Sequence, residues 1–523
     1  MQCKPLPTGV DNFEKLITRG YYFVDKTLLI KELLDKKGDV NLFTRPRRFG
    51  KTLNMSMVQY FFEDARKDDG TKMDNRSLFD GLSIMESGHR FILQGNLLEI
   101  DKIRYQNIME ECAKEEDYND SLKFLSQCME QYYGHKAIIL IDEYDVPLEN
   151  AFFAGFYEEM TAFIRSLFES ALKTNSSLEF AVITGCLRIS KESIFTGMNN
   201  MKINSILNKS YDEFFGFTEV EVMRLCDDYH LTHKFPLIKE WYNGYVFGNV
   251  NVYNPWSVIS FIGDLQVDEN ELPASYWANT SSNSIVRTLI EMADDETRSE
   301  IEQLIAGKSI EKPVHEDITY DEIYKTMDNL WNFMFFTGYF RRVGERMDVE
   351  TKQRYVELKI PNEEVKYIFR NKVLGWFQET INRKDLSVLY HALIRQDPAT
   401  LEQELTELLM KTISFNDAYE SFYHGFIAGV LSGMNGYTVK SNREGGRGRS
   451  DLYIKPVTRK KPAYVIEFKI AGKFSEMEAK AEDALEQIED RNYCQELFDD
   501  GYGTVICYGI SFFGKDCLVK MKE

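Results

Sequence analysis

Short unbroken apolar runs interrupt an otherwise mixed chain. Ala137-Ile-Ile-Leu-Ile141 is followed at once by Asp142, Glu143 and Asp145, and Glu179-Phe-Ala-Val-Ile-Thr-Gly185 is apolar from Phe180 to Ile183. Runs of this length, bounded by polar residues, predict strands buried on both faces, as in a parallel sheet. Val40 to Phe43 predict a shorter strand, and Phe91 to Ile100 a further one. Helical spacing appears in Leu28, Leu29, Ile30, Leu33 and Leu34, with Asp25 or Thr27 placed as its cap and Lys26 as a solvated charge. Leu53 to Phe62, Glu110 to Tyr133 and Phe156 to Lys173 also predict helices.

After Gly216 the pattern changes. Thr218 and Glu221 have the spacing of a capping box, and residues 241–248 and 252–256 are aromatic and turn-rich. Helices are expected out to Arg342, then a strand where Arg354 to Ile360 alternate, then helices from Glu363 to Met410. Tyr419 to Leu431 predict a helix whose core positions are Phe422, Phe426, Ile427, Val430 and Leu431. Asp451 to Ile454 and Tyr464 to Ile470 read as paired strands joined by the basic loop Lys455 to Pro462. Alternation puts Ile466, Phe468 and Ile470 on one face of the second strand, and Val465, Glu467 and Lys469 on the other.

Composition narrows the class. A length of 523 residues suits about three domains. Net charge is −20, from 63 basic and 83 acidic residues. Nucleic acid would therefore meet a local basic patch rather than the whole surface. Residues 443–473 supply one: nine Lys and Arg against three acids give +6, leaving −26 for the rest. The eight cysteines include no C-x-x-C pair, which suits a reducing cytoplasm. No apolar run approaches a membrane span, and no signal-peptide pattern opens the chain. His230-x-x-His233 lacks further metal-binding neighbours and reads as two solvent-side histidines.

Candidate chemistry begins at Arg45-Pro-Arg-Arg-Phe-Gly-Lys-Thr52, between a strand and a helix. That is the layout of a phosphate-binding loop, in which backbone N–H groups and the helix dipole face the phosphates. Gly50 opens the helix, Lys51 reaches the outer phosphates and Thr52 supplies its hydroxyl to Mg²⁺. Arg45 stands where the general pattern has its first glycine, and Arg47 and Arg48 add charge around a nucleotide. Asp142 would hold Mg²⁺ through water, and Glu143 would act as general base. Thr184 is placed to sense the γ-phosphate. Arg188 or Lys191 would act on this nucleotide, or on that of a neighbouring subunit in a homo-oligomer, or stand as surface charges.

Leu6-Pro-Thr-Gly-Val10, Tyr22-Phe-Val-Asp-Lys-Thr27, Arg45 to Thr52, Ile141-Asp-Glu-Tyr-Asp-Val-Pro-Leu148 and Thr184-Gly-Cys-Leu-Arg-Ile-Ser190 together resemble the bacterial AAA-ATPase-like family. Members carry a C-terminal PD-(D/E)xK nuclease-like domain, and Arg45 matches that family's own loop. The resemblance implies an α/β fold. A RecA/AAA-like P-loop NTPase domain would span residues 1–215, an α-rich lid or winged-helix-like region 216–345, a helical linker 346–410 and a restriction-endonuclease-like domain 411–523.

Asp451, a hairpin, then Glu467-x-Lys469 is the PD-(D/E)xK arrangement. The two carboxylates would share Mg²⁺, or Mn²⁺, and Lys469 would orient the attacking water or stabilise the transition state. By resemblance, Glu420 and Gln487 ring the metal. The whole reads as a cytoplasmic ATP-binding and hydrolysing protein fused to a nuclease acting on DNA at the basic patch, with no membrane partner. The other reading is an ATP-switched regulator or scaffold whose nuclease-like domain binds nucleic acid without cutting.

Overall fold

The computed structural model describes residues 3–63, 75–87, 104, 107–108, 110–111, 113–188, 194–195, 198–277, 284–316, 319–323, 325–371, 385–410, 420–441 and 451–522. The strand expected at Phe91 to Ile100, the Gly445-Gly-Arg-Gly-Arg-Ser450 stretch whose sequence predicts a turn, and Lys191 lie outside them. The chain forms two compact units, Met1–Ile285 with Ser309–Ile368, and Val286–Lys308 with Phe369–Glu523.

The first unit is built on a four-stranded parallel sheet of β1 (Val40–Thr44), β2 (Ala137–Ile141), β3 (Leu178–Gly185) and β4 (Met201–Asn204), in the order β2-β3-β1-β4. All five β1 residues are buried, the signature of a strand covered on both faces. Helix α1 (Phe13–Thr18) is capped by Asn12, whose side chain accepts from the Lys15 N–H. Helix α2 (Leu28–Lys36) starts at Thr27 without a side-chain cap. Asp25 instead accepts from the Thr27 N–H and hydroxyl through one oxygen, and from the Ser83 N–H and hydroxyl through the other. These bonds hold its carboxyl below the usual range against the opposing effect of burial. Helix α3 (Lys51–Phe62) begins behind Gly50, whose φ of +80° suits glycine at that cap.

Beyond Gly216, β5 (Phe217–Thr218), β6 (Tyr245–Phe247) and β7 (Val250–Tyr253) form a small antiparallel sheet in the order β5-β7-β6. It accompanies the helices Glu219–Asp228, Phe235–Tyr242 and Pro255–Val267, whose apolar faces make one core. Thr218 and Glu221 form the expected capping box. His230 and His233 are exposed, and His233 meets Glu269. A further antiparallel sheet joins β8 (Ile310–Pro313), β9 (Arg341–Met347) and β10 (Arg354–Lys359), in the order β8-β10-β9.

The second unit holds a five-stranded sheet of β11 (Tyr437–Ser441), β12 (Leu452–Pro456), β13 (Ala463–Ile470), β14 (Val505–Phe513) and β15 (Asp516–Lys522), strands neighbouring in chain order. Only β13 and β14 pair parallel, with the helix Met477–Asp490 between them in sequence. The linker expected at 346–410 is not one. Strand β10 belongs to the first unit, whereas Leu389, Leu393, Leu401, Leu405 and Leu409 pack in the second unit's core with Ile466, Phe468 and Phe512. Leucines at that spacing need a sheet to cover them, and this one is theirs.

Phe512 is fully buried and stacks on Tyr423 at 4.1 Å between ring centres. Phe512→Ala should lower the stability of the C-terminal unit by about 3–5 kcal/mol, read by denaturant unfolding.

Candidate functional site

The ends of the parallel strands assemble the first site. Ile141 is in register with Ile183, so Asp142 emerges beside Thr184, and Thr184 is opposite Phe43 in β1. The Thr184 hydroxyl donates to Asp142 and accepts from the Glu143 N–H at 3.2 Å. Glu143 takes a left-handed φ of +49°, an unusual conformation for a non-glycine residue and one that turns the chain at the strand end. Asp145 is buried and accepts the N–H groups of Cys186 and Leu187 at 2.7 and 3.1 Å. Burial raises its pKa, against the pull of Lys51. A Cβ on Gly185 would sit 2.6 Å from the Tyr144 ring, so this approach requires glycine.

A cavity of about 530 Å³ opens here. Arg47, Arg48, Gly50, Lys51, Thr52 and Glu143 line one part. Pro7, Val10, Phe23, Val24, Pro255 and Ile259 give it an apolar part that site assignment from the sequence did not reach. The signal was present in the Leu6–Val10 and Tyr22–Thr27 motifs. Lys51 Nζ donates to the carbonyls of Arg45 and Pro46, both at 3.1 Å, and to Cys186 Sγ at 3.6 Å. Arg47 pairs with Glu149 at 2.7 Å, and the Arg48 guanidinium lies 4.6 Å from the centre of the Trp256 ring.

Three residues depart from expectation. Arg45 does not line the cavity. It is fully buried and donates to the carbonyls of Thr44, Asn204 and Tyr211 at 2.9, 2.6 and 3.3 Å, between the rings of Phe215 and Phe247. Burial without a contacting carboxylate pushes its pKa down to about 9. Arg188 also lies off the cavity lining. Lys26, read as solvated, is buried. It donates to the Glu213 carbonyl at 2.6 Å and to both oxygens of Glu221 at 2.7 Å, and it forms part of the cavity wall.

The second site lies on the β12–β13 hairpin. Leu452 is opposite Ile466, which brings the neighbouring Asp451 and Glu467 together. The Asp451 N–H donates to Glu467 at 3.2 Å, and Asp451 Oδ2 accepts from the Phe468 N–H at 2.9 Å. Lys469 Nζ approaches Glu467 Oε1 at 3.4 Å, as residues two apart on a strand allow. Gln487, on the helix Met477–Asp490, donates to the same oxygen and to the Tyr493 hydroxyl at 3.3 Å. His424 was not foreseen. It is buried, and its Nε2 bonds the Asp451 carbonyl at 2.9 Å. Glu420 opens the helix Glu420–Ser432, but its side chain is outside the described residues, as is that of Phe422.

Both faces of β13 are covered, with Ile466 and Phe468 in one core and Val465 in another that includes Ile488 and Tyr493. Glu467 is thus only 3% exposed. Burial first, and the Asp451 charge second, raise its pKa to about 7. No group of three or more His, Cys, Asp or Glu side chains able to hold a metal occurs among the described residues. Two converging carboxylates that disfavour each other's charge nevertheless fit a hard divalent cation, with water completing its shell.

The basic patch is not one surface. Lys455 is tied to Glu496 and Asp500 at 3.2 and 2.6 Å. Arg459, Lys460 and Lys461 are exposed on the hairpin turn, at the other end of the strands from the carboxylates. Lys461 precedes Glu467 by six residues, which is about 20 Å of extended chain at ~3.3 Å per residue. Arg443, Arg447 and Arg449 lie outside the described residues.

Comparison with known proteins supplies the two names. Residues 7–98 and 90–195 match the family model described as Predicted AAA-ATPase, and residues 418–522 match that of the PD-(D/E)XK nuclease superfamily. An uncharacterized protein in the vnfD 5′ region of Azotobacter chroococcum mcd 1 is 26% identical over 530 residues, spanning 94% of this chain and 93% of its own. A signal transduction ATPase with numerous domains (STAND), with a tetratricopeptide repeat sensor, from Pyrococcus horikoshii aligns over 79% of this chain and 56% of its own. Identity there is 13% and the TM-score 0.23, below the level of a shared fold. The chain therefore joins an ATPase-like domain to a nuclease-superfamily domain, which generally implies use of nucleotide and divalent metal. No helix among the described residues is long and apolar enough to cross a membrane.

Arg45→Met should leave the Asn204 and Tyr211 carbonyls without this donor and lower the first unit's stability by about 1–3 kcal/mol, measured by thermal unfolding. Glu467 sets a pH dependence in metal-free protein. Its folded pKa is above the unfolded one, so the native state binds the extra proton between about 4.5 and about 7. Stability of the C-terminal unit should therefore fall as pH rises through that window, and Glu467→Gln should flatten the fall.

Proposed function

We propose that the protein binds and hydrolyses ATP in the first unit and cleaves DNA, with Mg²⁺ or Mn²⁺, at the Asp451–Glu467 site. One observation carries the reading: Asp451, Glu467 and Lys469 of one hairpin and Gln487 of the helix Met477–Asp490 converge at the end of that hairpin. At the nucleotide, Lys51 exchanges weak neutral acceptors for phosphate oxygens, a charge-assisted replacement. Thr52 and Asp142 would hold Mg²⁺. Glu143 lines the cavity and is the base for water, its backbone fixed by Thr184. Asp145 is unsuited to that task because its carboxylate is already bonded to two N–H groups. The apolar part of the cavity accommodates the base.

At the nuclease site Asp451 and Glu467 would hold the divalent cation, which when bound supplies an acidified water and neutralises phosphate charge. His424 and the Phe468 N–H fix Asp451, and Gln487 orients Glu467. Lys469 positions the nucleophile or meets developing phosphate charge. Arg459, Lys460 and Lys461 take DNA phosphates about 20 Å from the cut, roughly six base pairs of duplex.

Lys51→Ala should abolish ATP binding by calorimetry, and Glu143→Gln should retain binding while slowing hydrolysis at least a hundredfold. Asp451→Ala should lose DNA cleavage and keep DNA binding. Alanine at Arg459, Lys460 and Lys461 together should weaken binding and reduce its salt dependence without removing the metal site. If the wild type cuts neither DNA nor RNA with either metal, with or without ATP, the scaffold reading replaces this one.

A further inference from the structure

The second unit brings together two cysteines separated by thirteen positions. Cys494 opens the short helix Cys494–Asp499, and Cys507 lies on β14 in register with Val465 of β13. Their sulfurs are 3.3 Å apart. Closing to a disulfide needs about 1.3 Å of approach, since bonded sulfurs are ~2.05 Å apart. Cys494 is half-buried and Cys507 buried, both against the core of Val465, Ile488 and Tyr493. The hydrogen bond with Cys507 pulls the Cys494 thiol below its ordinary pKa, which favours Cys494 as the attacking thiolate.

This pair adjoins the carboxylate site through one residue. Tyr493 precedes Cys494. Its carbonyl accepts from the Tyr453 hydroxyl at 3.1 Å, and its own hydroxyl accepts from Gln487. The other acceptor of Gln487 is Glu467 Oε1. A shift at Tyr493 thus changes how Gln487 divides its N–H groups between a tyrosine and a carboxylate.

We propose that Cys494 and Cys507 are a reversible dithiol–disulfide site that peroxide closes and thiols reopen, and that closure weakens cation binding at Asp451 and Glu467. The Cys494 thiolate attacks one peroxide oxygen, breaking the O–O bond, and becomes a sulfenic acid as hydroxide leaves. The Cys507 thiol then attacks that sulfur, forming S–S and releasing water. Overall two thiols and one hydrogen peroxide give one disulfide and two waters. Closure draws Tyr493 toward β14 and off Gln487. Gln487 then bonds more fully to Glu467 and competes with the cation for Oε1. This second step rests on the metal reading above; the first does not.

The test uses the full chain, reduced or treated with hydrogen peroxide, in wild type, Cys494→Ser and Cys507→Ser. Differential alkylation and peptide mapping should find a 494–507 crosslink in the oxidised wild type, reversed by dithiothreitol and absent from both variants. Calorimetry with Mn²⁺ should show binding at least threefold weaker after oxidation in the wild type and unchanged in Cys494→Ser. Separate alkylation of both cysteines after peroxide treatment would overturn the pair. A crosslink with unaltered Mn²⁺ affinity would overturn its control of the site. Absence of Mn²⁺ binding in the reduced wild type would instead sink the metal reading and the control built on it, and the crosslink alone would still decide the pair.

Discussion

The buried Arg45 cation organises the first unit. No carboxylate among the described residues hydrogen-bonds the Arg45 guanidinium, although the Asp212 charge acts on it; main-chain carbonyls from β1, β4 and the segment before Gly216 accept its hydrogen bonds, and two aromatic rings cover it. A glycine at this position would leave the loop free to bend. Arginine does the opposite, fixing where β1 ends and where the next five residues run. Pro46 then restricts its predecessor. Phe49 is held between Tyr245 and Phe247, at 4.9 and 5.1 Å between ring centres. Side chains anchor this loop, and Lys51 and Gly50 inherit their places from that anchoring.

Much of this was legible in the sequence. Uninterrupted apolar runs, followed by acids after β2 and by Thr184-Gly185 at the end of β3, gave those strands away, since a strand buried on both faces has no polar side to confuse the pattern. Thr218 and Glu221 were legible because a capping box is local. What stayed hidden was decided by distant partners. Arg45 and Lys26 look like ordinary charges until Tyr211 and Glu221 are placed beside them. Strand β4 is only four residues long, and its alternation is indistinguishable from a loop. The helices from Ser387 to Met410 looked like a linker because no sequence pattern says which sheet their leucines cover.

The C-terminal hairpin shows how linear proximity misleads. Residues 443–473 form a basic island when counted along the chain. An antiparallel pair folds that island so that the carboxylates and the turn lysines occupy opposite ends, while Lys455 is neutralised by two acids from the helix Cys494–Asp499 and its C-terminal cap. Glu467 and Lys469 were readable because residues two apart share a face. His424 was not, because its contact is to a backbone carbonyl that carries no sequence signature.

The seating of Phe49 has a consequence for how such a protein can be taken apart or evolve. A boundary drawn at residue 215 would strip away Tyr245 and Phe247 and leave a large ring, now 1% exposed, facing water at the mouth of the loop. The N-terminal sheet is thus no interchangeable cassette. Shuffling it onto a foreign partner would require a matching aromatic socket, so loop and socket are a single heritable piece, and a change of volume in one selects for a compensating change in the other.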